Sequence, residues 1–181
     1  MKKNYKDVII VDIEKATGMS RRAVFYYVKD KNELLGTVVD QFILTRQNIH
    51  NKITPIGNNS FKEFIDSYLQ GVINTMEAIA KAEVDNILRS YFGLIFNSVS
   101  YYDGFAQKTA QMLSLEISVW EKFIEMGMQS GELKSDINPK ITALNFQSIF
   151  YGLAFISSLN AGMKTDELRN CFNEYYNSIR K

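Results

Sequence analysis

The sequence predicts an all-α protein, and three observations predict it. Apolar residues recur at three- and four-residue spacing along almost the whole chain, no alternating run competes with them, and helix-start signals punctuate the pattern. The 181 residues are 46% hydrophobic, enough for one substantial core, and Pro55 and Pro139 are the only prolines. No segment is rich in Gly, Ser or Pro, so the chain is expected to be ordered.

The first elements lie in "VDIEKATGMSRRAVFYYV". It reads as a short helix ending near Thr17, a turn at Gly18 and Met19, a Ser20 cap, and a second helix from Arg21 to about Tyr27. Ile13, Ala16, Val24 and Val28 are expected to hold the pair together. "DKNE" (Asp30, Glu33) and "SFKE" (Ser60, Glu63) are capping boxes, each opening a new helix. The first of these helices carries Leu34, Leu35, Val38, Val39, Phe42 and Ile49 on one face; the second carries Phe61, Phe64, Ile65, Tyr68, Val72, Met76 and Ile79. "ITPIGNN" breaks the pattern between them.

Three further stripes follow. Val84, Ile87, Leu88, Tyr91, Ile95 and Val99 form one; Met112, Leu113, Val119, Trp120, Phe123 and Ile124 form another, stopped at Gly131. Asn138 then caps a helix with Pro139 in its first turn, where a missing N–H costs little. The last stripe is Leu168, Cys171, Phe172, Tyr175, Tyr176 and Ile179.

Composition excludes several kinds of chemistry. One cysteine and one histidine, Cys171 and His50, make neither a zinc site nor a disulfide framework, so no metal or other cofactor is expected, and the cysteine count fits a reducing cytoplasm. No segment has signal-peptide character, and "IFYGLAFISSL" is too short and polar to span a bilayer. Carboxylates in "EVDNILRSYF" and "EISVWEKFIEM" form no acid–base pair or Glu-x-x-His motif, so no catalytic residue is assigned and an enzyme is disfavoured.

Charge is uneven although the net is only +1. Residues 1–52 carry ten Lys and Arg against six Asp and Glu; residues 53–181 carry eleven against fourteen. The basic end holds the helix, turn and helix, the arrangement in which a second helix enters the DNA major groove. Arg21 and Arg22 sit at the N-terminal end of that second helix, where side chains reach base edges. On spacing alone, an ordinary glycine turn with solvated arginines fits equally.

"DIEKATGMSRRAVFYYVKDKNELL" resembles the N-terminal signature of the TetR (tetracycline repressor) family of bacterial transcriptional regulators. Ile13, Ala16, Gly18, Ser20, Tyr26, Lys31, Glu33, Leu34 and Leu35 match residue by residue, and Val28 and Asp30 match in type. Farther on, "GELKSDINPKITA" resembles the family's entry to its penultimate helix. The resemblance implies a helix-turn-helix DNA-binding domain over 1–47 and a helical bundle for effector binding and dimerisation over 48–181. It gives Ser20, Arg21, Arg22, Tyr26, Tyr27 and Lys31 the DNA-facing roles, with Tyr26, Tyr27 and Lys31 on phosphates and the arginines on bases. Phe25 departs from the family's usual phosphate-binding tyrosine, and Arg22 from a small residue. Family members also carry a helix before this motif, where this sequence has only "MKKNYKDV". Ile9, Ile10, Ile13 and Val24 are therefore expected to expose apolar surface, at about 1.5–3 kcal/mol for each large side chain.

The remaining expectations concern the body. Aromatic and methionine side chains there suit either ordinary core or, as the resemblance implies, a pocket for a small apolar or aromatic effector; Tyr91, Phe92, Phe96, Met112, Trp120, Phe123 and Tyr151 are the candidate lining. Gly152, Ala154, Ser157 and Ala161 permit close helix approach, and with the final helix they suggest a homodimer presenting two readers to a palindromic operator in double-stranded DNA. The function expected is a ligand-responsive transcriptional regulator, a repressor; the alternative is a TetR-like helical sensor or interaction protein without DNA binding.

Overall fold

The computed structural model describes residues 5–53, 60–80, 86–160 and 162–181. It is all-α, with no strand among the described residues. A 3₁₀ turn at Tyr5–Asp7 precedes α1 (Ile10–Thr17) and α2 (Arg21–Tyr27); α3 (Lys31–Val39) then runs through a π-helical turn (Asp40–Leu44) into α4 (Thr45–Gln47). The short α5 (Ile49–Lys52) follows, and the body comprises α6 (Phe61–Ala80), α7 (Ile87–Tyr101), α8 (Phe105–Gln129), α9 (Pro139–Leu159) and α10 (Thr165–Ile179).

The expected punctuation holds in atomic detail. Gly18 ends α1 in the left-handed region at φ 68°, a conformation costly for a side chain bearing Cβ. The Ser20 hydroxyl accepts from Ala23 N at 3.3 Å, opening α2. Asp30 accepts from Glu33 N at 2.9 Å, while Glu33 itself takes the Lys29 N–H. Ser60 and Glu63 satisfy each other's backbone N–H groups, and Asn138 caps α9 ahead of Pro139. The first free N–H groups of α6 go to a residue distant in sequence: Glu132 accepts from Phe61 N at 2.7 Å and from Lys62 N at 2.9 Å, a charge-assisted bond at the positive helix end.

Two cores result. The larger is aromatic: Trp120 stacks on Phe146 at 4.8 Å and meets Phe64, Tyr68 and Phe172 edge-on, with Ile65, Ile124 and Leu168 filling between them. The smaller joins α3 and the π turn to α7 and α8 through Tyr5, Leu35, Val39, Ile43 and Phe105. Asp40 pins this joint, accepting from the Tyr102 hydroxyl at 2.7 Å and from Lys108 at 2.8 Å.

Several expected core positions stand elsewhere. Phe42 is exposed and Ile43 is buried in its place, because the Asp40–Leu44 π turn adds a residue to the turn and rotates the following face. Val99 is 64% exposed, since α7 turns its Ser98 side inward. Ala16 is exposed, one step farther round α1 than Ile10 and Ile13, which are half-buried. Among the four residues expected to expose apolar surface, Ile9 is 57% exposed but Val24 is buried, covered with Val28 between α2 and the neighbouring helices. Val84, Ala161 and Pro55 lie outside the described residues, as do the side chains of Ile79 and Ile87. No described helix is long and apolar enough to cross a membrane.

Candidate functional site

The first candidate surface is α2. Its N-terminal end is held from two sides: Ser20 caps it, and the Glu14 carboxylate of α1 accepts from Arg21 N at 2.6 Å. With that end fixed, Arg21, Arg22, Tyr26 and Tyr27 all project outward. Tyr26 is 83% exposed, its ring edge-on to that of Tyr27 at 5.2 Å, and the Arg21 guanidinium lies 5.7 Å from the Phe25 ring centre. Five of the six residues assigned to DNA thus share one short helix and its cap. Lys31 is committed differently. Its ammonium donates to the carbonyls of Tyr5, Lys6 and Val8 at 2.9, 3.3 and 3.1 Å and sits 4.4 Å over the Tyr5 ring, tying the N-terminal turn to α3.

The second candidate site lies inside the body. Gly71 lets α6 rest directly on α5: a Cβ there would stand 1.9 Å from the Lys52 carbonyl oxygen. That contact seats Lys52 among α6, α8 and α9, where it is 4% exposed. Its Nζ is 3.8 Å from the Glu116 carboxylate, beyond hydrogen-bond reach, and about 5 Å from the ring centres of Phe150 and Tyr68. Glu116 is wholly buried, and its oxygens accept from the Tyr68 hydroxyl at 2.6 Å and from Tyr151 at 3.4 Å. The charges are therefore balanced but unequally served: the carboxylate has hydroxyl donors, whereas the ammonium has no hydrogen-bond partner among the described residues.

Burial shapes the titration of this group. Loss of water lowers the Lys52 ammonium below its usual 10.5, opposed by the pull of Glu116. Tyr68, Tyr91 and Tyr151 are raised by burial and then by the Glu116 charge, which keeps the hydroxyls of Tyr68 and Tyr151 protonated as donors to that carboxylate.

Beside Lys52 is a cavity of about 50 Å³. Val72, Met76, Leu88, Phe150, Ala154 and Met163 form its apolar wall, and Lys52, Gln47, Thr75, Tyr91 and Tyr151 add polar atoms. The Gln47 Oε1 is also buried without a partner. Such a volume holds water-sized groups; a ring needs more, and the flexible Met76 and Met163 are the side chains that can give way.

Of the seven residues read as pocket lining, Tyr91 and Tyr151 border this cavity. Trp120 and Phe123 are locked into the aromatic core against Phe64, at 4.6 and 4.1 Å between ring centres. Phe92 packs edge-on to Phe155, Phe96 is 61% exposed, and Met112 is buried on α8 facing the α4 side rather than the cavity. Aromatic character alone cannot separate these places, because core, surface and cavity all use it. Lys52 and Gln47 carry no sequence signal for this site; Glu116, read only among the unpaired carboxylates of "EISVWEKFIEM", is instead buried, and it does carry one: it interrupts the apolar face between Met112 and Trp120. Among the described residues no group of His, Cys, Asp and Glu could hold a metal ion. Comparison with family models, curated proteins and solved structures finds none that matches this chain.

Proposed function

We propose that this chain is a ligand-responsive, DNA-binding transcriptional regulator of the TetR type, a repressor working as a homodimer. The observation that carries the reading is a physical continuity. The outward arginine–tyrosine surface of α2 is followed by one helical run, from α3 through the π turn to α4, whose end delivers Gln47 to the internal cavity, with Lys52 on α5 just beyond. A molecule that binds the cavity in one arrangement of this run better than in another shifts the orientation of α2 by that differential affinity. Of the small residues expected at a dimer seam, Ala154 is instead buried within this chain and Gly152 is exposed; the feature that supports the dimer is an exposed apolar stripe on α9, Ile141, Leu144, Gly152, Phe155, Ile156 and Leu159, at helical spacing.

The test is selection from a randomised pool of duplexes, followed by salt titration. A dimeric regulator enriches a palindrome and binds it with affinity that falls steeply with salt. Arg22→Ala then loses about 1–3 kcal/mol on the selected site and much less on random duplex. No enrichment and no duplex binding would leave the second reading, a helical sensor without DNA binding. One observation favours that reading: α1 buries none of its residues, so the pair presenting Arg21 and Arg22 is thinly supported.

A further inference from the structure

Resting on that reading of the cavity as an effector site, we infer that its ligand is a neutral apolar molecule ending in a carboxamide-type group, whose carbonyl oxygen accepts from Lys52. Three observations converge. The cavity wall is mostly apolar, with polar atoms contributed by Lys52, Gln47, Thr75, Tyr91 and Tyr151, so the body of the ligand must be apolar. Lys52 and Glu116 already neutralise each other in a site closed to water; a carboxylate or ammonium ligand would add a charge with no counter-charge, which low-dielectric surroundings penalise heavily. Among the residues lining the cavity, two carry buried polar atoms without a partner, and these are of opposite kinds: the Lys52 ammonium needs an acceptor and the Gln47 Oε1 needs a donor. A carbonyl oxygen meets the first need and an amide N–H the second. The Glu116 oxygens cannot serve Lys52 in its place, because Tyr68 and Tyr151 hold that carboxylate and Lys52 stops 3.8 Å short of it.

The experiment uses the whole chain and probes matched in shape: straight-chain and phenyl-bearing sets, each as primary carboxamide, carboxylate, ammonium and hydrocarbon. Binding is read by thermal shift and by Trp120 fluorescence. The carboxamides should raise the melting temperature and bind about ten- to hundred-fold tighter than the matched hydrocarbons, the span expected for a hydrogen bond to a charged donor. Carboxylates and ammoniums should bind more weakly than the amides. Lys52→Met should erase the preference for amide over hydrocarbon; because it can unsettle Glu116, Ala154→Leu is the companion variant, filling the cavity from α9 and abolishing binding of every probe. Preference for the carboxylates, equal binding of amide and hydrocarbon, no binding by any carboxamide, or amide binding undiminished in Ala154→Leu would each overturn the inference. Duplex binding is measured separately. If the amides bind as expected but the chain binds no duplex, the regulator reading fails and the chemistry of the cavity stands.

Discussion

The α1–α2 pair and the Trp120 core solve the same problem by different means. Around Trp120, rings from α6, α8, α9 and α10 close on one another, and Phe64, Tyr68, Phe146 and Phe172 lose almost all contact with water. In the N-terminal pair only Val24 is buried, with Val28 just beyond the end of α2, and order comes instead from termini and charges: the Gly18 turn, the Ser20 cap, Glu14 on the start of α2, and Lys31 on three carbonyls. Buried area gives cooperative stability, whereas a few polar contacts give a defined shape at low local stability. The contrast divides the molecule into a body held by buried rings and a helix pair held by a few polar contacts.

The largest expected effect would break the comparison on the body's side. Phe146 touches Trp120, Phe61, Phe172 and Tyr175 within 6 Å, so Phe146→Ala should cost about 3–5 kcal/mol through lost contact and the cavity left behind. Urea denaturation followed by Trp120 fluorescence checks it. A loss under about 1 kcal/mol would mean the core repacks and is not the rigid half.

Next in size is the charged group at the edge of that core. Lys52→Met leaves the Glu116 charge buried without a cation and should cost about 3–5 kcal/mol at most, nearer 2 if the two tyrosine hydroxyls sustain the carboxylate. Glu116→Gln should cost a comparable amount by stranding Lys52. The double variant should cost clearly less than the two together, because each change removes the reason the other was harmful. Additive losses in a double-mutant cycle would show that the pair acts only through packing.

A smaller effect would sharpen the other half. Lys31→Met removes a three-carbonyl clamp and the contact with the Tyr5 ring, and should cost about 1–2 kcal/mol, felt locally. Amide hydrogen exchange should speed up over residues 5–17 while the slowest amides around Trp120 are unchanged. If both regions accelerate together, the N-terminal pair is part of the body's cooperative unit and the contrast fails.

How much of this was legible beforehand follows from the kinds of signal involved. Caps and stops are local, so Gly18, Ser20, Asn138 and Gly131 were readable from a few neighbouring residues, and so were the faces of α6 and α10. The exchange of Phe42 for Ile43 was not, because a π turn depends on what α3 packs against and no propensity marks it. The surface of α2 was readable because exposure and a cap need only one helix. The cavity was not: Lys52 and Glu116 are 64 positions apart, and what unites them is Gly71 letting α6 lie on the Lys52 carbonyl, a contact visible only once the helices are packed.

The smallest effect concerns pH, and it tests whether the buried charge is real. At pH values below the lowered value of Lys52, folded and unfolded chains both carry the proton, and the fold bears the full cost of the buried ammonium. Between that value and 10.5 the unfolded chain binds more protons than the folded one, so stability rises with pH across this window. Tyr68 and Tyr151 act in the opposite sense: their folded phenols keep protons that the unfolded chain releases above 10.0, so stability falls from there upward. Wild type should therefore gain stability on approaching pH 10 and lose it beyond, while Lys52→Met should keep the alkaline fall and lack the rise before it. Urea midpoints at half-unit steps from pH 7 to 11, taken on both proteins at fixed salt, measure the difference directly. A rise that persists in Lys52→Met would locate its origin elsewhere and would mean that Lys52 reaches water often enough to escape the cost that sets this end of the body apart from the Trp120 core.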